Sequence, residues 1–255
     1  MLSRVQVACD RYVIPSVLMT RRRWIADEVY GNRAALIGPH AEHLAHVLRA
    51  RVGQEFDIVA TGENVRRGRI TNIADKRVEF ELGEIIPTGA MPRLTLMLSV
   101  FKFDRMEWAI EKCIELGAAG IIPVIAHRTE SHLAAGAIRR VDRWRRVARQ
   151  AAEQSRRGSP PEIGQPVKLK EAVKLASTAR IVLAESEEKT MLKDVLPSSA
   201  SSEFTLAFGP EGGWTETELE LFRECGWILA SLGRTILRAE TAAVAATAIA
   251  VAQLQ

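Results

Sequence analysis

Apolar and polar residues alternate through Glu55-Phe-Asp-Ile-Val-Ala60, Arg67-Gly-Arg-Ile-Thr-Asn-Ile73 and Arg77-Val-Glu-Phe-Glu-Leu82. A period of two predicts half-buried β-strands. Gly53, Gly62, Gly68 and Gly83 punctuate these runs, and Ala41–Leu48 reads as a short helix. The stretch from Trp24 to about Pro87 therefore predicts a small β-barrel, followed by a linker, Pro87-Thr-Gly-Ala-Met-Pro92. Beyond it, strands alternate with helices, the pattern of an α/β sheet. Strands are expected at Leu94–Val100, Ala119–Ile125, Ile181–Ala184, Phe204–Phe208 and Ile228–Ser231. A helix through Leu116, capped by Asp104 and Glu107, carries Met106, Ala109, Ile110 and Cys113 on one side and stops at Gly117. Another, Ile138–Gln154, points Ile138, Val141, Trp144, Ala148 and Ala151 inward and five arginines (139, 140, 143, 146, 149) outward. Thr215 and Glu218 form a capping-box pattern ahead of a helix over Glu216–Glu224. The last helix, about Ala239–Leu254, is nearly free of charge, so burial on all sides is expected.

Two of the predicted strands end in glycine-rich turns, Gly209-Pro-Glu-Gly-Gly213 and Ser231-Leu-Gly233. Glycine is needed where the backbone itself approaches a ligand or takes positive φ. Paired at neighbouring strand ends, such turns build a pocket of main-chain N–H and C=O groups, better suited to a neutral heterocycle such as adenine than to a triphosphate. The first turn lacks the Gly-Lys-Ser/Thr of a P-loop and the GxGxxG of a dinucleotide fold, and Glu211 would repel phosphate.

Composition narrows the class. The 255 residues carry 47% hydrophobic and 26% charged side chains, ordinary globular values with ample material for a core. No apolar run reaches membrane-spanning length, which predicts a soluble chain without a membrane partner. Cys9, Cys113 and Cys225 are far apart and odd in number, as reduced thiols in a cytoplasmic protein would be. His40, His43 and His46 lack the cysteine or carboxylate company of a zinc site, so no metal is expected. Net charge is only +4, but arginines cluster at 21–23, at 49 and 51, at 66, 67 and 69, and along 139–157. Four such clusters favour an RNA partner.

The turns belong to a longer pattern. Gly209-Pro-Glu-Gly-Gly213, Ser231-Leu-Gly233 and Ile236-Leu-Arg-x-Glu-Thr-Ala242 resemble the signature of the RsmE-type rRNA uridine-N3 methyltransferases. Lys102, Met106–Gly117, Ile121-Ile-Pro123, Arg128, Glu153-Gln-Ser-x-Arg157 and His43-Leu-Ala-His-Val-Leu-Arg49 fall in that family's order, so the resemblance covers most of residues 22–255. It implies a C-terminal SPOUT-type α/β trefoil-knot domain at 92–255, binding S-adenosylmethionine, and a smaller PUA-like RNA-binding β-barrel at 21–88. Residues 1–20 read as an N-terminal extension, or the first 18 as the product of a misassigned start codon; they lack a convincing signal peptide. The knot, a homodimer and a target in 16S rRNA within the small ribosomal subunit are likewise implied by the resemblance.

Carried onto this sequence, the resemblance implies a donor site of Gly209, Glu211, Gly212 and Gly213, with Ser231, Leu232, Gly233, Ile236, Leu237 and Arg238. Ala184 and Glu185 would close it from the side. Glu211 either faces the donor or fixes its loop. Arg238, Glu240 and Arg128 are the catalytic candidates; Arg23, Arg49, Lys102 and Arg157 are the candidates for RNA contact. N3 of uridine carries a proton that must leave before or during methyl transfer, so a base, or a cation facing O2 or O4, is required. Phe103 and Ala126-His127 depart from the family pattern, which has glycine after the lysine and Ser-Glu before the arginine, and His127 adds a further base candidate. Competing readings are a SPOUT enzyme with another rRNA or tRNA target and an RNA-binding assembly factor without catalysis.

Overall fold

The computed structural model describes residues 22–60, 64–88, 93–158, 161–175, 179–198 and 203–254. The expected extension 1–20 and most of the expected linker lie outside these residues.

The first sheet contains β1 (Arg23–Ile25), β2 (Glu28–Tyr30), β3 (Arg33–Ile37), β4 (Glu55–Val59), β5 (Val65–Ala74) and β6 (Arg77–Ile86), in the order β1-β4-β5-β6-β3-β2. All pairings are antiparallel except β1 with β4. Alternation works as the sequence predicts: Ile58, Ile70, Val78, Phe80 and Leu82 point inward and pack with Trp24, Leu36 and Leu44. The expected helix over 41–48 is instead a turn of α-helix, α1 (Pro39–Glu42), running into a π-helical turn at His43–Val47.

The second sheet is parallel. Its strands are β7 (Arg93–Ser99), β8 (Gly120–Ile125), β9 (Glu162–Ile163), β10 (Val167–Lys168), β11 (Ala179–Leu183), β12 (Glu203–Phe208) and β13 (Ile228–Ala230). The order is β10-β8-β7-β12-β11-β13, with β9 beside β8. One face carries α2 (Phe103–Leu116), α4 (Val141–Gln154) and α8 (Ala239–Leu254); the other carries α5 (Leu169–Leu175) and α7 (Glu216–Glu224). Short helices α3 (Ser131–Ala137) and α6 (Leu192–Val195) complete the domain.

Several local expectations need correction. The α2 helix begins after Lys102 with no side-chain cap; Glu107 pairs instead with Arg140 and Arg143. The helix expected over 138–154 is broken by a 3₁₀ turn at Ile138–Arg140 that joins α3 to α4. That turn leaves Ile138 67% exposed, while Val141, Trp144, Ala148 and Ala151 are buried as the period predicts. Phe103 ends up against Gly136 and tilted onto Trp144, with the Arg140 guanidinium over its ring. A Cβ on residue 136 would lie 3.0 Å from the ring, so the small residue makes the aromatic one possible. Only one side of α8 is covered: Ala243, Ala246, Ala250 and Leu254 are buried, whereas Thr241, Ile249 and Ala252 face out.

A charged seam joins the two sheets' domains. Arg149 of α4 pairs with Asp27 at 2.7 Å and donates to the Ile25 carbonyl. Glu153, fully buried, accepts the Ile25 N–H at 3.3 Å and faces Arg149 at 3.4 Å. Arg156 reaches Asp57 at 3.4 Å, and Arg23 donates to the Arg156 carbonyl. Burial holds the Glu153 carboxyl above its ordinary value, and burial beside Arg156 holds the Arg23 guanidinium below its own.

Candidate active site

Three neighbouring parallel strands, β12, β11 and β13, end at Phe208, Leu183 and Ala230, and the loops that follow meet at the carboxyl edge of the sheet. Ligands in open parallel sheets bind in such crevices. The first loop folds back on itself through Gly213 N–H to the Pro210 carbonyl at 2.8 Å. It ends in a complete capping box: Glu218 N–H donates to Thr215 Oγ1 at 3.3 Å and Thr215 N–H to Glu218 Oε2 at 2.9 Å. Trp214 ties this loop to β11, its indole N–H donating to the Leu183 carbonyl at 3.0 Å.

The third loop is gripped by the second. Ala184 N–H donates to Ala230 O at 3.0 Å, Ser231 N–H to Thr190 O at 2.8 Å, and Leu192 N–H to Ser231 O at 2.9 Å. The chain after Ser231 is thus held from both ends of the 185–190 loop. Glu187 stiffens that loop by accepting Lys189 and Thr190 N–H groups, which holds its carboxyl below the usual range. The Ser231 hydroxyl bridges the N–H and carbonyl of Gly233.

The three loops enclose a cavity of about 650 Å³. All twelve residues expected to hold the donor line it: Ala184, Glu185, Gly209, Glu211, Gly212, Gly213, Ser231, Leu232, Gly233, Ile236, Leu237 and Arg238. Gly213 (φ 69°) and Gly233 (φ 134°) occupy backbone regions that side chains disfavour, with open space where a Cβ would stand. The glycine turns make this cradle largely main chain, with Glu185 and Glu211 on its walls and Arg105, Arg128, Arg234 and Arg238 also lining it. Glu211 also meets the N–H of Lys102 at 3.5 Å, the outer limit of a hydrogen bond, at the start of α2.

The catalytic candidates separate. Arg238, exposed, lines the cavity just before α8. Arg128 also lines it, but donates to the carbonyls of Gly212 and Trp214 and so clamps the first loop. Glu240 lies behind the wall, 8% exposed, 3.7 Å from Arg105. His127 is outside the lining; its main-chain N–H donates to Glu218 Oε1 at 2.7 Å. Of the RNA-contact candidates, Lys102 and Arg49 are exposed, Arg49 with φ 52° after the π-helical turn. Arg23 lies in the domain seam. Arg157 is a correction: it is 9% exposed, and its guanidinium donates to the carbonyls of Ile114 and Ala118 at the end of α2, which withdraws it from RNA. Sequence reasoning missed Arg105, which lines the cavity from α2, and the Trp214 tie. Only the tryptophan beside the glycine turn hinted at the latter.

Comparison with known proteins now decides the family. Residues 88–251 match the RNA methyltransferase domain family, and residues 36–83 match the RNA methyltransferase PUA domain. The chain belongs to the RsmE-type methyltransferases. It is 30% identical over 239 residues to the ribosomal RNA small subunit methyltransferase E of Synechocystis, covering 91% of this chain and 78% of that one. The Bacillus subtilis protein of the same name is 33% identical over 218 residues, 82% of this chain and 85% of its own. A crystal structure of the Neisseria gonorrhoeae ribosomal RNA small subunit methyltransferase E, bound to S-adenosyl methionine, superposes with a TM-score of 0.78 at 28% identity. That match covers 89% of this chain and 95% of that one. The architecture is accordingly that of an RsmE-type SPOUT α/β domain with an N-terminal PUA-like barrel. Among the described residues, no helix is long and apolar enough to cross a membrane.

Proposed function

We propose that this protein methylates N3 of a uridine in the decoding region of 16S rRNA, using S-adenosylmethionine, as a cytoplasmic homodimer. Membership of the RsmE-type family makes it a SAM-dependent small-subunit rRNA methyltransferase. The observation that carries the reading is the main-chain cradle at the carboxyl edge of the sheet, rimmed by arginines. When bound, the donor supplies an electrophilic methyl group on a sulfonium. The protein must then orient the uracil ring, keep water away and manage one proton. Main-chain groups of the 184–185, 209–213 and 231–238 segments would hold the adenosine and methionine portions. Orientation alone can lower a barrier by roughly 7–11 kcal/mol.

Loss of the N3 proton leaves negative charge shared between N3 and the ring oxygens. Arg238, exposed at the cavity and without an ion pair among the described residues, is suited to face that charge. Arg128 would keep the first loop closed on the donor, with Glu240 supporting the site from behind. Lys102, Arg49 and Arg23 remain the residues proposed to approach RNA. The uncovered apolar side of α8, with Ile249 39% exposed, supports a dimer. The test is methyl transfer from labelled SAM to small subunits lacking the modification, followed by mass spectrometry of the nucleosides. 3-Methyluridine is the expected product. Another methylated nucleoside would move the protein to a different target, and no transfer despite SAM binding would favour an assembly factor.

A further inference from the structure

We propose that Arg105 is a second catalytic cation of this site, placed to stabilise a uracil oxygen as the N3 proton leaves, and that Glu240 is the residue that positions it. This rests on the reading of uridine N3 as the target. Arg105 lies in the first turn of α2, on a different element from the three loops, and is the α2 residue that lines the cavity. Its side chain is about one-third exposed, and its sole ion-pair partner among the described residues is Glu240 Oε1 at 3.7 Å. That separation is too long for a hydrogen bond, so attraction holds the group in place while its N–H donors stay available. Arg128 differs, because its donors are committed to the Gly212 and Trp214 carbonyls.

Glu240 supplies the second observation. It is buried in the first turn of α8, and its Oε2 has no hydrogen-bond partner among the described residues. An unpaired buried carboxylate oxygen is unfavourable and calls for a compensating role. Two residues before it stands Arg238, which lines the same cavity as Arg105. Among the described residues the cavity therefore presents two guanidinium groups, Arg105 and Arg238, that are not committed to a loop carbonyl as Arg128 is, and either can face an imide anion.

The step balances without another reagent. The N3–H bond breaks and its electron pair stays on the ring. The proton passes to solvent water, and the N3 pair bonds the methyl carbon while the carbon–sulfur pair returns to sulfur. Cations beside the ring oxygens raise the fraction of uracil that has lost its proton at neutral pH.

The experiment compares wild type, Arg105→Gln, Arg105→Lys and Glu240→Gln on small subunits lacking the methyl group, in single turnover across pH. SAM affinity by calorimetry and thermal midpoint are measured alongside. For Arg105→Gln the neutral-pH rate should fall roughly 100-fold, and the rise of rate with pH should move to higher pH. SAM affinity and fold should stay close to wild type. Arg105→Lys should recover part of the rate, and Glu240→Gln should shift the profile the same way by less. Subunits carrying 5-fluorouridine at the target, a more acidic imide, should rescue Arg105→Gln. A uniform fall with an unmoved pH profile and no rescue overturns the proposal, as does loss of SAM binding, which would place Arg105 in the donor site. If wild type yields a product other than 3-methyluridine, the target reading fails and takes this proposal with it. 3-Methyluridine with an unmoved profile overturns the Arg105 role alone.

Discussion

Glu218 connects two loops of the site, and its replacement measures how much one carboxylate contributes. Its Oε2 accepts the Thr215 N–H at 2.9 Å and the Thr215 hydroxyl at 3.0 Å, and its Oε1 accepts the His127 N–H at 2.7 Å. In Thr215→Ala only the cap hydroxyl is lost and the carboxylate keeps both main-chain bonds. The expected loss is about 1 kcal/mol, as for other N-cap deletions. Glu218→Ala removes the acceptor for the Thr215 and His127 N–H groups at a position only 8% exposed. The cap bond from the residue 218 N–H to Thr215 Oγ1 survives, and two lost bonds to a charged acceptor at about 1.5–2 kcal/mol each give a loss of roughly 3–4 kcal/mol. Urea unfolding of both variants reads the difference as a midpoint shift at constant m. Because His127 precedes Arg128, Glu218→Ala should also weaken SAM binding more than Thr215→Ala does. If the two variants lie within about 0.5 kcal/mol of each other, the His127 bond contributes nothing and the idea that Glu218 couples the loops is wrong.

Gly212→Val should act through Arg128, because a Cβ there would stand 3.2 Å from Arg128 Cδ. Loss of the clamp should weaken SAM binding by roughly 10- to 100-fold, and unchanged affinity in calorimetry would show that the clamp is dispensable. Arg238→Ala should lower turnover by roughly 100- to 1,000-fold while SAM affinity changes little; near-normal turnover would remove Arg238 from the mechanism. Reversing Arg139, Arg143 and Arg146 together should weaken RNA binding and flatten its log–log salt dependence by roughly one unit per lost phosphate contact. An unaltered slope would mark that face as merely solvated. Glu153 supplies a pH test. Its carboxyl is raised in the folded state, mainly by burial, so its stabilising contribution is present below the unfolded-state value and lost as pH rises through the folded one. Glu153→Gln should therefore lose less stability than wild type between acid and neutral pH, and parallel stability–pH curves would contradict this.

Periodicity made the central elements legible because their burial is one-sided. The α4 face from Val141 to Ala151, the capping box at Thr215 and the extent of α8 all follow from residue spacing. The two glycine turns of the cavity were legible because main-chain cradles require glycine; the rest of its lining, Ala184, Glu185, Ser231, Leu232 and Ile236 to Arg238, came from the family resemblance. What stayed hidden depends on contacts distant in sequence. Nothing local marks the break at Ile138–Arg140, which accommodates the Phe103 ring against Gly136. The π-helical turn at His43–Val47 and the uncovered side of α8 are tertiary outcomes too. Arg105 was overlooked because an arginine in the first turn of an amphipathic helix looks like a solvated residue until Glu240, 135 positions away, is brought beside it.

The arginine clusters show why charge counted along a chain misassigns partners. Arg67 meets Asp57, Arg69 meets Glu55, and Arg66 donates to the carbonyls of Leu82 and Gly83. Arg149 and Arg156 bind the two domains together, and Arg157 secures the end of α2. These guanidinium groups are largely neutralised or internal, and a polyanion gains little from them. Net attraction for phosphate depends on cations whose charge is not already matched. Among the described residues, exposed cations outside any salt bridge include Arg49 and Arg51 on the barrel, Lys102 at the start of α2, Arg139 and Arg146 beside α4, and Arg234 and Arg238 at the cavity. The RNA-binding surface proposed for this protein therefore draws on unmatched cations such as these. Substitutions within it should change affinity for RNA, whereas substitutions in the seam should change how firmly the barrel is held against the SAM-binding domain.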